Sequence, residues 1–396
     1  MEKLLFDLFS AYYVARKNKR GTMNAVSFEI EYEKNIMELY QDIVERRYEI
    51  RPSICFIVHK PVKREIFAAD FRDRVVHHLL FQYINPVFDK QFIADTYSCR
   101  KKKGTSRGID RVNYFLRSCS DNYQKECWIL KLDIEGYFMS MDRTILWNMI
   151  CTAFFRKKKK EDNLDLILYL LQKVIFNDPT DNCFIKGQRK DWIGLPRKKS
   201  LFFAKEGSGF PIGNLTSQLF GNIYMSGFDH FVRETLGVKW YGRYVDDMIF
   251  MDKKKDFLLE ILPKISEYLC HSLALSIHPK KIYLQPLFNG VSFLGVRIKP
   301  YRTYIGPRIK RNFFISIGRM RNSFKKRTLL NTRERYQILS RVNSYLGCMG
   351  WCRSYYLRKK MIDLLMKKNL DRYYTVSEGM LRITSKWNPC RDGEKG

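Results

Sequence analysis

The stretch Tyr244-Val245-Asp246-Asp247-Met248-Ile249-Phe250 constrains this chain more than any other. Val238, Trp240 and Tyr241 lead into it, and the apolar run Met248 to Met251 leads out. Two hydrophobic runs around a polar break predict a strand, a tight turn holding Asp246 and Asp247, and a returning strand. Such a hairpin gains no stability from two adjacent anions. Their repulsion becomes tolerable when a divalent cation or a basic partner neutralises them. Alone, such a pair is most often a solvated turn, so a third carboxylate on another strand is the feature to seek.

Cys127-Trp128-Ile129-Leu130-Lys131-Leu132-Asp133-Ile134 supplies it. With a period of two, Trp128, Leu130, Leu132 and Ile134 share one face, and Ile129, Lys131 and Asp133 share the other. If this strand pairs with the 238–251 hairpin, three carboxylates converge at one sheet edge. Oxygen-rich clusters of this kind suit Mg²⁺, which binds through carboxylates, waters and substrate phosphates. Two such ions activate an attacking hydroxyl and hold a leaving phosphate.

The net charge of +31 over 396 residues points to a polyanionic partner, nucleic acid first. A membrane surface or a ribosomal role would draw on the same charge. With 45% hydrophobic and 15% aromatic residues the chain folds, and its length allows two or three lobes. No apolar run reaches the roughly 18 residues of a membrane span, and residues 1–20 lack a signal-peptide core. A cytoplasmic protein with no membrane partner is expected. The ten cysteines form no Cys-x-x-Cys pair, and the histidines do not sit at zinc-finger spacing. Reduced thiols and no structural zinc follow as expectations.

Residues 1–50 read as two helical stretches around Gly21-Thr22. Ile54, Phe56 and Val58 alternate like a strand, and a basic turn with Lys60, Lys63 and Arg64 leads to a second. Such a tip either faces solvent or grips a triphosphate. Asp70 caps a helix reaching about Phe88, in which His77 and His78 are structural. Residues 97–111 form a basic loop with Arg100, Lys101, Lys102 and Arg107, suited to a phosphate backbone or simply solvated. The run 156–162 is a charged loop, and 177–209 is an irregular insertion rich in Asn, Asp, Pro, Gly and Lys. Gly209-Phe210-Pro211-Ile212-Gly213-Asn214 opens a helix that Gly237 ends. An amphipathic helix covers 256–275, and a strand pair covers 291–298 and 303–306. From Pro307 to about Leu370 the chain is helical and basic. Arg308, Lys310, Arg311 and Arg319 interleave with Phe313, Phe314, Ile317 and Met320, as on a helix lying along a duplex. Residues from about Trp387 are expected to fray.

The order of these pieces resembles the successive motifs of reverse transcriptases over roughly residues 51–300, with a thumb beyond. In the fourth motif Ile212 stands where Gln is usual, and Gln218 stands where Pro is usual. These departures, together with Asn343-Ser344-Tyr345-Leu346-Gly347, resemble the enzymes of diversity-generating retroelements. Retron-like, group II intron-like and defence-associated reverse transcriptases are the nearer alternatives. A non-catalytic RNA-binding protein is the more distant one.

The resemblance implies an α+β right-hand polymerase. Its fingers would span 1–104, and its palm 105–300 with finger insertions at about 150–208. The thumb and tail would span 301–396. It implies that Asp133, Asp246, Asp247 and the Ile134 carbonyl hold two Mg²⁺ ions. Lys281 would donate a proton to pyrophosphate. Lys60, Lys63 and Arg64 would hold the dNTP triphosphate, with Gly136 and Tyr137 adding backbone N–H groups. Phe138 would exclude a ribose 2′-OH, and Ile212 and Gly213 would line the nucleotide. Phe293, Leu294 and Gly295 would form a primer grip. The implied partners are a template-repeat RNA, its cDNA, dNTPs and an accessory variability protein. An alkyl group at Ile212 cannot hydrogen-bond near the nucleotide sugar. The lost contact corresponds to about 1–2 kcal/mol, roughly tenfold in misincorporation.

Overall fold

The structure, a computed structural model, describes residues 2–17, 21–59, 62–156, 163–323, 329–366 and 370–386. Three helices lead the chain: α1 (Glu2–Arg16), α2 (Met23–Ile30) and α3 (Tyr32–Val44). Strands β1 (Ser53–Val58) and β2 (Arg64–Ala68) precede α4 (Phe71–Phe88) and α5 (Thr105–Cys119). Then come β3 (Trp128–Asp133), α6 (Tyr137–Ser140), α7 (Arg143–Arg156), α8 (Leu164–Phe176) and β4 (Cys183–Ile185). Next are α9 (Leu215–Tyr224), α10 (Ser226–His230), β5 (Trp240–Tyr244), β6 (Asp247–Asp252) and α11 (Lys255–Leu273). After β7 (Tyr283–Pro286) follow β8 (Val291–Phe293), β9 (Val296–Lys299) and β10 (Arg302–Ile305). The chain closes with α12 (Pro307–Ser323), α13 (Thr332–Met349), α14 (Tyr355–Met366), β11 (Tyr374–Val376) and β12 (Ile383–Ser385).

Two compact units result: residues 1–104, 130–250 and 255–283 in the first, and 105–129, 251–254 and 284–396 in the second. In the first, β5, β6 and β3 neighbour one another in that order. Helix α4 packs on α1 and α9, and α7 packs on α9 and α8. The Asp70 side chain caps α4, accepting from Arg72 N at 3.0 Å. Strands β1 and β2 pair antiparallel, Val58 opposite Arg64.

The 177–209 insertion is more ordered than its composition predicts. Its β4 pairs parallel with β1, and three short 3₁₀ turns follow between Arg189 and Phe203. The N-terminal 50 residues hold three helices instead of two, because Glu31 breaks the run between α2 and α3.

In the second unit β8, β9 and β10 form an antiparallel sheet. The expected continuous strand over 291–298 is broken at Leu294 (φ +49°) and Gly295 (φ +86°), which turn the chain back on itself. Helices α12 to α14 share a core including Phe313, Ile317, Val342, Leu346 and Met361. A capping box between Asn331 and Glu334 starts α13. Among the described residues no helix is long and apolar enough to cross a membrane.

Candidate active site

The hairpin forms with its turn one residue earlier than the sequence suggests. Val245 and Asp246 make the turn, and Asp247 is already the first residue of β6. Val245 adopts φ +57°, a left-handed conformation that β-branched residues avoid. The surroundings hold it there. Arg243 donates from Nη1 to the Val245 carbonyl at 2.9 Å. It also forms a bidentate pair with Asp229, Nε to Oδ1 at 2.7 Å and Nη2 to Oδ2 at 2.6 Å. Both side chains of that pair are fully buried.

Along β3 the alternation holds where it matters. Leu130, Leu132 and Ile134 are buried, while Lys131 and Asp133 are partly open on the other face. Ile129 is buried as well, so only the Lys131–Asp133 end of that face is accessible.

The three aspartates share one electrostatic neighbourhood. Burial, then repulsion from Asp133, pushes the Asp246 carboxyl up to about 6, with Asp247 adding and Lys281 opposing. The Asp247 carboxyl is also raised, by burial first; Lys131 opposes this and Asp133 adds to it. Lys281 Nζ donates to Asp133 Oδ1 at 2.6 Å, and Lys131 Nζ lies 2.8 Å from Asp247 Oδ1.

These two ammonium groups occupy carboxylate oxygens that a cation would use. Among the described residues no three His, Cys, Asp or Glu side chains form a ready-made metal-ligand group. The donor chemistry nonetheless fits a hard divalent ion: three carboxylates whose repulsion a cation would relieve. The backbone of Ile134 fits as well. It faces Ile277 as a non-hydrogen-bonded pair, with Glu135 N on Ser276 O and His278 N on Asp133 O. The Ile134 carbonyl therefore points away from that partner strand.

Of the residues expected to meet the nucleotide, Phe138 and Ile212 come together on one wall. Phe138 and Ile212 pack against a core of Cys55, Phe67, Met139 and Leu201, with Trp192 alongside. Ile212 also accepts from Phe67 N at 3.1 Å, which ties it to β2. Gly136 (φ +57°) leads into the buried Tyr137, whose hydroxyl donates to Gly221 O at 2.5 Å. Gly213 has φ +134°, and a Cβ there would stand 2.8 Å from Phe67 O. Arg64 is exposed at the start of β2. Lys63 instead donates to Ile193 O at 2.6 Å, so it anchors the insertion. Lys60 lies outside the described residues.

Glu65 makes the strongest of these ties. It is 1% exposed. Its carboxylate accepts from Leu201 N at 2.6 Å, Trp192 Nε1 at 2.6 Å and Ser200 Oγ at 2.8 Å. Lys198, three residues before Leu201, pairs with Glu135 at 2.7 Å.

The expected nucleic-acid contacts divide. Lys101, Lys102 and Arg107 are exposed, as are Arg308, Lys310, Arg311 and Arg319 opposite the buried face of α12. Arg100 is not available: its side chain is 8% exposed and bonds Asp89 Oδ1 at 2.7 Å and Ile93 O at 2.7 Å. Its guanidinium secures the loop. Phe293, Leu294 and Gly295 make the β8–β9 turn of the second unit, with Phe293 buried.

Residues 59–298, more than half of the chain, match the family model for reverse transcriptase (RNA-dependent DNA polymerase). The chain belongs to the reverse transcriptase family. Its described residues form an α+β structure, and members of this family use divalent metal ions. This reverse transcriptase is 22% identical over 267 residues to protein YkfC of Escherichia coli (strain K12). That alignment takes in 59% of the chain and 63% of YkfC. Among solved structures it is similar to apo telomerase from Candida tropicalis, with TM-score 0.46 and 11% identity over 84% of this chain and 60% of that one. Telomerase from the same organism in complex with a TWJ fragment of telomeric RNA gives TM-score 0.46 and 12% identity, over 85% and 57% of the two chains.

The pattern of this reverse transcriptase assigns no role to Glu65, Asp229 or Arg243, and it leaves Lys131 without its partner Asp247. Lys131 was legible in principle, two residues from Asp133 on the same strand face. A lone charge inside an apolar stretch marks Arg243, but its partner Asp229 is distant in sequence, and only the fold joins them.

Proposed function

We propose that this reverse transcriptase serves a diversity-generating retroelement, copying a template-repeat RNA into cDNA mutagenised at template adenines. The observation that carries this reading is Ile212, an alkyl group packed beside Phe138 on the nucleotide wall where a hydrogen-bonding Gln is usual. A nascent base pair met there by an apolar surface is held less firmly.

Two Mg²⁺ ions held by Asp133, Asp246, Asp247 and the Ile134 carbonyl would activate the primer hydroxyl and neutralise the leaving pyrophosphate. The primer 3′-oxygen bonds to the α-phosphorus, and the bond to the bridging oxygen breaks. Arg64 meets the triphosphate charge. Gly136 and Tyr137 present backbone N–H groups to it. Phe138 excludes a 2′-hydroxyl. Lys281, on leaving Asp133, protonates pyrophosphate. In this reading residues 1–104 act as fingers, 105–300 as palm and 301–396 as thumb. The β8–β9 turn grips the primer, and the basic face of α12 follows the duplex. A structured RNA and an accessory variability protein are the partners, and the cytoplasm is the compartment.

The test is to purify the chain with its cognate RNA and accessory protein and to sequence the cDNA. Mismatches concentrated opposite template adenine are expected, with no product from Asp246→Ala. Accurate copying opposite adenine would remove the retroelement assignment and leave the polymerase. Equal activity of wild type and Asp246→Ala would remove the catalytic assignment itself.

A further inference from the structure

The pair Asp229–Arg243 lies beneath the Val245–Asp246 turn, and its side-chain hydrogen bonds go to none of Asp133, Asp246 and Asp247. Arg243 is fixed along its backbone: its N donates to Asp95 O at 2.9 Å, and its O accepts from Tyr97 N at 3.0 Å. Its guanidinium is fixed by Asp229. That carboxylate is itself saturated, accepting in addition from Tyr241 Oη at 2.7 Å and Thr96 Oγ1 at 3.2 Å. One nitrogen remains, Nη1, and it holds the Val245 carbonyl at 2.9 Å.

That carbonyl belongs to the peptide joining Val245 to Asp246. The peptide is planar, so fixing its oxygen also fixes the direction of the Asp246 N–H and sets where the Asp246 Cα leaves the turn. Val245 is a costly residue at φ +57° and would relax without such a hold. We infer that Asp229 and Arg243 are positioning residues: they clamp the strained Val245 carbonyl and so aim Asp246 at the cluster it shares with Asp133. The inference rests on the catalytic reading of Asp246 given above.

The experiment compares Arg243→Lys with the double variant Arg243→Lys/Val245→Gly in primer extension across Mg²⁺ concentrations. Lysine keeps a charge for Asp229 but lacks the third fork nitrogen. Glycine adopts φ +57° without strain, so the turn no longer depends on the clamp. Arg243→Lys is expected to lower kcat by about 10- to 100-fold with little change in dNTP KM or RNA binding. Half-maximal activity should move to higher Mg²⁺. The double variant should recover at least about tenfold of the lost kcat.

Absence of recovery in a double variant that folds and binds RNA overturns the proposal, and so does wild-type kcat and Mg²⁺ dependence in Arg243→Lys. Should Arg243→Lys fail to fold, Tyr241→Phe takes its place, removing one donor from Asp229 and leaving the ion pair. It should lose about two- to fivefold in kcat, and Val245→Gly should restore it; unchanged kcat or no restoration overturns the proposal. Asp246→Asn in the same assay separates the two readings. If it is inactive, the outcome concerns the clamp alone; if it is active, the catalytic assignment fails and the clamp with it.

Discussion

Replacing Glu65 with alanine should open the 186–204 insertion and loosen the wall that includes Phe138 and Ile212. The carboxylate holds three donors, from Leu201 N, Trp192 Nε1 and Ser200 Oγ. Trp192 is only partly buried and can turn its N–H to water. Ser200 and Leu201 are 2% and 3% exposed, so their donors lose their acceptor without replacement. An unsatisfied buried donor costs about 1–3 kcal/mol, and removing the carboxylate's own desolvation offsets part of the sum. A net cost of about 2–4 kcal/mol remains, which raises the open population of the segment roughly 30- to 700-fold. Lys186, Arg189, Lys190, Arg197, Lys198 and Lys199 make trypsin the natural reporter. Cleavage between 186 and 199 should accelerate by that factor while the remaining sites are cut at the wild-type rate. Because Trp192 and Leu201 pack in the cluster with Phe138 and Ile212, discrimination of dNTPs against rNTPs should fall in parallel. Wild-type cleavage rates in Glu65→Ala would refute this account of what seats the insertion.

Other perturbations have equally definite outcomes. Burial, then His78 and Arg74, lowers the buried His77 imidazole to about 3. Its contribution to stability is complete above the unfolded value of roughly 6.5 and is lost as pH falls below that, by about 1.4 kcal/mol per unit. His77→Gln should therefore show a flatter decline between pH 7 and pH 5 in chemical denaturation, and equal slopes would contradict it. Gly213→Ala puts a Cβ 2.8 Å from Phe67 O at φ +134°, so kcat/KM for dNTPs should fall about 10- to 100-fold with RNA binding retained. Ile212→Gln puts a hydrogen-bonding group where the proposed function places the nucleotide and should cut misincorporation up to about tenfold in cDNA sequencing. An unchanged error spectrum would show that infidelity arises elsewhere.

Much of this architecture could be read from residue order. The period-two face of β3 placed Lys131 and Asp133 together, and the Asp70 cap and the amphipathic face of α12 followed from spacing alone. The misreadings share a cause. The turn at Val245 moved because a buried arginine supports a conformation that valine does not choose. Residues 177–209 looked irregular because the residue that orders them, Glu65, lies more than a hundred positions earlier. Arg100 looked like a phosphate ligand because nothing local shows that the Asp89 carboxylate and three carbonyls take up its guanidinium. Local patterns report periodicity and capping, whereas buried polar contacts between distant residues are settled only by tertiary structure.

Lys281 and Lys131 are built-in counterions for the aspartate cluster. With Lys281 on Asp133 and Lys131 on Asp247, most of the negative charge is compensated internally. The charges of Asp133 and Asp247 are thereby met within the chain before any solution ion arrives. Each divalent ion that enters would evict an ammonium group, and a released Lys281 would then be loose beside the ion that displaced it. Loading is therefore an exchange, and its midpoint should depend on what else competes for those lysines, not on magnesium alone.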